Sequence, residues 1–475
     1  MKAIRNVRIV DSYRTSEPMD VFIQDSKISG IHKSGIIKGD YEVYDGKGML
    51  AIPGLVDLHF HPMVGKPDQL QSGMKTEGMA ALAGGFTYLR CQMLVGLVSE
   101  RGWVPLIEKM ISDAEKSAPL DFSFNPQLGN LKHVSEVPQL ITHGINGFKL
   151  FFDAYRGEVG RKLGIVAEEN IRQVLQGILA AISMNPQVRL IVHAEDEDYI
   201  QYITGQPKTG GKGILEAFSD SRPPFAEVLK QNELASLAEE FGSNVHIAHV
   251  SGERSLRAVL AAKQRYPNIT FETEPHYLLL DYTMSKKLGV YGKVVPPLRS
   301  PADRKALVSA VANRKVDSIS TDTNPCTKAE KENGESKYGN IDKVSPGFDN
   351  IQVVLPLLIT NFVKKNVFTI NDLVWAMSDR PSQVFWASQK GGISVGKDAD
   401  LVLLDLTHHK KVSSDSLVRV GGNEWFLFEG EDLYGMPEAT FLRGSLVYND
   451  GAYIGGESGK YIRFRQSLKK VSRTT

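Results

Sequence analysis

The chain has 475 residues, 42% of them hydrophobic, with 56 basic against 55 acidic residues and a formal net charge of +1. That length accommodates a large core and more than one domain, and the charge balance excludes the uniform positive field that nucleic acid or anionic lipid would require. A small-molecule partner is expected, with no nucleic acid and no membrane. Cys91 and Cys326 are too few for a disulfide framework, and no apolar leader or membrane-length apolar run stands out, so a cytoplasmic location is expected.

In chain order, strands come first. Ile4, Val7 and Ile9, then Val21, Ile23, Ile28 and Ile31, alternate with polar residues between turn positions such as Asp25 and Gly30, which predicts antiparallel strands. From Ile52 the texture changes to apolar runs, each followed by a helical pattern: Ile52–Phe60, Phe86–Cys91, Phe122–Asn125, Gly147–Phe152, Arg189–Ala194, Val245–Val250, Ile269–Glu274 and Asp317–Thr321. Eight such units predict a (β/α)8 TIM barrel, and an open doubly wound sheet is disfavoured because no Gly-x-Gly-x-x-Gly follows the first run. The segments between them read as helices: Ile171, Val174, Leu175, Ile178, Leu179 and Ile182 recur at helical spacing, and Ser300, Pro301 and Asp303 supply a cap, a first-position proline and a first-turn acid. Strand texture returns from Gly396 and from Ala439. The expected fold class is therefore α/β, with a barrel over 51–390 and a small β-sandwich domain built from both termini, 1–50 and 391–475.

Six residues with metal-site chemistry fall at or near the carboxyl ends of these runs: His59, His61, Lys149, His193, His249 and Asp322. Strand ends of a barrel converge, so these side chains could together hold two divalent ions. In Asp57-Leu58-His59-Phe60-His61, two histidines one residue apart face the same side of a strand and can chelate one ion. His193 closes Leu190-Ile191-Val192 and His249 closes His246-Ile247-Ala248, which brings two more imidazoles to the same end. Asp322 either caps the next helix or binds a metal through one oxygen and moves a proton with the other. Lys149 either snorkels or pairs with an acid, or its neutral amine reacts with carbon dioxide to give a carbamate that can bridge two metals.

Taken together, Pro53-Gly54-Leu55-Val56-Asp57-Leu58-His59-Phe60-His61, Ala83-Gly84-Gly85-Phe86-Thr87, Gly147-Phe148-Lys149, His193-Ala194-Glu195, His246-Ile247-Ala248-His249-Val250-Ser251, Glu274-Pro275-His276, Pro296-Pro297-Leu298-Arg299, Thr321-Asp322 and Gly396-Lys397-Asp398-Ala399-Asp400-Leu401 resemble the dihydroorotase, allantoinase and hydantoinase branch of the amidohydrolase superfamily. The likeness runs in order over nearly the whole chain. It implies two zinc ions, the more buried on His59, His61 and Asp322 and the more exposed on His193 and His249, bridged by carboxylated Lys149 and a hydroxide. It further implies hydrolysis of a cyclic amide C–N bond, with Asp322 carrying the proton to the leaving nitrogen, in a homodimer or homotetramer.

The departures fall on the substrate side. Met63 stands where dihydroorotases usually carry an arginine for the substrate carboxylate, Val295 where an asparagine is expected, and Thr323 and Cys326 where histidines are common. In the loop from Pro346 through Gly347 to Gln352, Asn350 and Gln352 replace a glycine and a glutamate of the family. Met63, Tyr155, Val295 and Gly347 are the candidate substrate contacts. Arg299 and Lys293 could meet an acidic substrate but read better as ion-paired beneath the Pro-Pro loop, and His276 as a packing or supporting histidine. His143, His408 and His409 read as surface residues and the basic tail from Lys460 to Arg473 as a solvated end. Dihydroorotase-like hydrolysis is the leading expectation, with allantoinase or hydantoinase/dihydropyrimidinase activity second. The reading from another class is a non-catalytic assembly partner; such relatives commonly lose metal ligands, and all six positions stand here.

Overall fold

The computed structural model describes residues 1–35, 40–62, 69–94, 98, 101–152, 171–206, 212–332, 341–418 and 425–464. Met63 and Tyr155 lie outside them. Among the described residues, no helix is long and apolar enough to cross a membrane.

Five strands open the chain: β1 (Lys2–Val10), β2 (Thr15–Gln24), β3 (Lys27–Lys33), β4 (Glu42–Asp45) and β5 (Leu50–Pro53). They join β14 (Leu401–Leu404), β17 (Pro437–Leu442), β18 (Ser445–Asn449) and β19 (Ala452–Tyr453) in one nine-stranded sheet, while β15 (His409–Lys411) and β16 (Asp432–Tyr434) form a separate pair. The seam between the two ends of the chain is β5 against β14, antiparallel from Leu401↔Pro53 to Leu404↔Leu50. Ile4, Val7, Val21, Ile23, Leu401, Leu403 and Phe441 bury the shared face, so the alternation read at each end is one apolar layer contributed by both.

The first run of βα texture is divided. Leu50–Pro53 belongs to the terminal sheet, and after Gly54 a new strand, β6 (Leu55–Phe60), begins the parallel set. Gly54 is needed there because a Cβ would collide with Thr87. The other parallel strands are β7 (Phe86–Met93), β8 (Asp121–Pro126), β9 (Gly147–Phe151), β10 (Arg189–His193), β11 (Asn244–Ile247), β12 (Ile269–Thr273) and β13 (Ser318–Ile319). Neighbours in sequence are neighbours in space: β6 to β8 form one parallel arc and β9 to β13 another. Isolated parallel bridges, Gln127↔Lys149 and Phe60↔Thr323, link the arcs at both junctions.

Helices lie between the strands. Ile171–Ser183 buries Val174, Leu175, Ile178, Leu179 and Ile182, the stripe expected from its spacing. Pro301–Ala312 starts with Ser300 and Asp303 in a reciprocal capping box. Val56, Leu58, Tyr88, Ile191 and Ala248, from or beside four of the parallel strands, pack together against Val384, Phe385 and Ala387.

Of the basic tail from Lys460 to Arg473, residues 460–464 depart from expectation and the rest lies outside the described residues. Rather than a solvated tail, 460–464 runs against the start of β8: Phe122 N–H donates to Lys460 O and Ile462 N–H to Phe122 O, and the buried Tyr461 ring packs on Phe122 and Phe124. Arg463 donates to Glu108 and to His143 O. The apolar residues among the basic ones decide this, since burying Tyr461 outweighs the solvation of its charged neighbours.

Candidate metal centre

The pairing of β6 with β7 shifts register between Asp57 and Phe60, an irregularity of the kind that re-aims side chains. Asp57 fastens the segment. Its carboxylate accepts from the backbone N–H of His59 (3.1 Å) and Thr321 (3.0 Å) and from the Thr321 hydroxyl (2.6 Å), so the first parallel strand is tied to the segment carrying Asp322.

His59 Nε2 and His61 Nε2 then stand 3.4 and 3.2 Å from one Asp322 oxygen, and Lys149 Nζ stands 3.2 Å from His59 Nε2. Two donors bound tetrahedrally to one ion at about 2.0–2.2 Å would themselves be roughly 3.4 Å apart, so this spacing fits ligands of a common small cation. The His249 ring is 5.4 Å from His59 and 4.3 Å from His193, centroid to centroid. All six groups singled out in the sequence therefore meet in one place. His249 and Asp322 have φ of 41° and 45°, left-handed backbone that non-glycine residues adopt at a cost and that recurs where a side chain must be aimed at a site.

Protonation favours metal binding as well. Burial and the nearby Lys149 push His59 down to about 4, and burial with His193 holds His249 well below the ordinary imidazole range, so both rings offer lone pairs at neutral pH. Burial works against ionising Asp322, but His59 and His61 outweigh it and hold the carboxyl at about 2.

Residues that the sequence reading did not single out orient these groups. Glu272, fully buried, approaches His59 Nδ1 at 2.6 Å and His246 Nε2 at 3.1 Å and accepts from Ser320 Oγ at 2.5 Å. Engaging Nδ1 leaves Nε2 of His59 turned toward Asp322 and Lys149. Burial opposes its ionisation, yet His59 and His246 keep the carboxyl well below its usual range. Glu195 serves His193 in the same way, 2.8 Å from Nε2, and receives Arg222 on both oxygens at 3.2 and 2.8 Å. The available signal was an acid in an otherwise apolar strand, or two residues past a candidate ligand.

Arg299 does not face a substrate. It donates to Ser251 Oγ (2.8 Å), to the Arg222 carbonyl and to Glu227 (2.8 Å), which makes it the ion-paired support expected. Lys293 Nζ donates to Val344 O at 2.7 Å. Val295 is half-buried against the main core. Gly347 has a φ of 93° and donates its N–H to Lys293 O (3.0 Å), and next to it Phe348 packs edge-on to His276, ring centroids 5.3 Å apart. His143, His408 and His409 pair with Glu108, Asp405 and Asp432 toward the surface. A separate buried acid trio, Asp121, Asp398 and Asp400, already holds Lys390 Nζ at 2.5, 2.9 and 2.7 Å and is a charge clamp between β8 and the terminal sheet.

Fold and site together define the class: an α/β protein whose parallel strands gather imidazoles and carboxylates into a candidate metal centre. No family model matches the chain. It is 29% identical over 438 residues to the dihydroorotase of Lactobacillus johnsonii and 31% identical over 446 residues to that of Lactobacillus acidophilus, covering 91% of this chain and 95% of the relative in both cases. Among solved structures it resembles the L-hydantoinase (dihydropyrimidinase) from Arthrobacter aurescens, with TM-score 0.87, 25% identity and coverage of 97% of this chain and 99% of that one. It also resembles the dihydropyrimidinase from Brevibacillus agri NCHU1002, with TM-score 0.84, 26% identity and coverage of 97% and 98%. The chain belongs to the cyclic amidohydrolase family, alongside the dihydroorotases and hydantoinases, and is a hydrolase of that family.

Proposed function

We propose that this protein opens the ring of a small cyclic amide by hydrolysing its C–N bond, in the manner of a dihydroorotase, at a centre of two zinc ions. His59, His61 and Asp322 would hold the more buried ion, His193 and His249 the other, and a carboxylated Lys149 would bridge them. Bound there, the ions supply an activated water and polarise the scissile carbonyl. Asp322, ionised at neutral pH, accepts the water's proton on the oxygen turned away from His61 and returns it to the ring nitrogen as the C–N bond breaks. Glu272 and Glu195 keep His59 and His193 in the tautomers that face the ions.

One observation carries this reading: six residues spread from 59 to 322 converge, His59, His61, Lys149 and Asp322 linked at 3.2 to 3.4 Å and the His249 ring standing 5.4 Å from His59 and 4.3 Å from His193, centroid to centroid. Metal analysis of the purified protein, followed by turnover of dihydroorotate, hydantoin, dihydrouracil and allantoin, tests it. About two zinc per chain with dihydroorotate turnover is expected. No bound metal and no turnover would overturn it and favour an assembly partner without catalysis. Hydantoinase or allantoinase activity is the second reading, favoured by the likeness to hydantoinase structures and by Val295 and Met63, apolar where a substrate carboxylate would want polar partners.

The same reading takes the two parallel arcs as one closed (β/α)8 barrel, expected over 51–390 and starting with β6 at Leu55, supported by the bridges at both junctions. It takes the terminal sheet as part of a β-sandwich domain, expected from 1–50 and 391–475 and carried on to Pro53 by the β5–β14 seam. A cytoplasmic homodimer or homotetramer is the proposed working form; both cysteines are free and buried, as suits a reducing compartment, and light scattering tests the assembly.

A further inference from the structure

Glu274 is a buried carboxylate that the proposed mechanism leaves without a task. It is 0% exposed, and neither oxygen has a hydrogen-bond partner among the described residues. Among the described residues, only Glu274 and His276 contribute two such atoms each. An isolated buried carboxylate is costly, and an orphan of this kind points to a missing ion or water. Its direction follows from strand alternation. Glu272 and Glu274 share one face of β12 and its extension, and Glu272 already reaches behind His59. Glu274 stands two residues nearer the carboxyl ends. One of its oxygens lies within 4.8 Å of a ring nitrogen of His59 and of an oxygen of Glu272.

We propose that Glu274 is an additional oxygen ligand of the more buried ion, completing a site richer in hard donors than His59, His61, Asp322 and Lys149 alone provide. This rests on the two-metal reading above. An added carboxylate raises the coordination number beyond four, which favours ions that accept five or six oxygen-rich ligands, such as manganese, relative to tetrahedral zinc.

The test strips the full-length protein of metal and titrates manganese and zinc in bicarbonate buffer against a competing chelator, for wild type and Glu274→Gln. The variant is expected to lose roughly 10- to 100-fold in manganese affinity, the scale of loss when a group supporting a metal site is removed, and less in zinc affinity. Its cobalt-loaded form should absorb more strongly in the visible as coordination falls. Equal affinities and equal cobalt spectra would overturn the assignment while leaving the two-metal reading intact; a wild type that binds no divalent ion would overturn both. If Glu274→Gln does not fold, Glu274→Met takes its place, and failure of both also overturns the assignment, since the metal-free fold would then require the carboxylate.

Discussion

Substituting Asp322 by asparagine isolates its chemistry from its shape. The amide keeps the volume and can still reach a metal through its oxygen, but it cannot take a proton from water or deliver one to a leaving nitrogen. Asp322 is held at about 2 by His59 and His61, so in wild type it is ionised across the working range. General acid–base groups contribute about 10²- to 10⁴-fold, so kcat should fall by that factor, equivalent to roughly 2.7–5.4 kcal/mol of barrier at 1.36 kcal/mol per decade. Metal content should stay largely intact, because His59, His61 and Lys149 remain. The pH profile adds a second readout. A group held near 2 is ionised at every pH from 5 upward, so Asp322→Asn should lower the rate by the same factor across that range without adding or removing a limb. Ring opening of dihydroorotate followed from pH 5 to 9, with metal measured on the same samples, would decide. A kcat within threefold of wild type, or a loss whose size changes with pH between 5 and 9, would refute the proton-shuttle role.

Lys149→Ala should lose both metal and turnover, with partial rescue by acetate or propionate standing in for the carbamate; full activity in the alanine variant would refute the bridge. Glu195→Gln should weaken the ion held by His193 and His249 by roughly 10- to 100-fold while the first ion stays bound, measured by stepwise chelator competition. Lys390→Met leaves Asp121, Asp398 and Asp400 buried with much less positive charge between them and should cost about 3–5 kcal/mol. Urea unfolding would read it, and a change under about 1 kcal/mol would show that the clamp contributes little.

Local pattern determined much of this protein. Alternation and helical spacing report which side of an element a residue faces, and that depends only on near neighbours in the chain. This is why the parallel runs, the capped helix at Ser300 and the strand texture at both ends were legible, and why His59, His61, Lys149, His193, His249 and Asp322 could be singled out together. Other features needed the folded chain. That Ile52 and Pro53 leave the βα pattern to pair with β14, that Tyr461 folds back onto Phe122, and that Glu272 backs His59 across 213 positions are contacts set by chain closure. An acid in an apolar strand says that a partner must exist. Which partner it finds depends on where the other strands end, and only packing in three dimensions settles that.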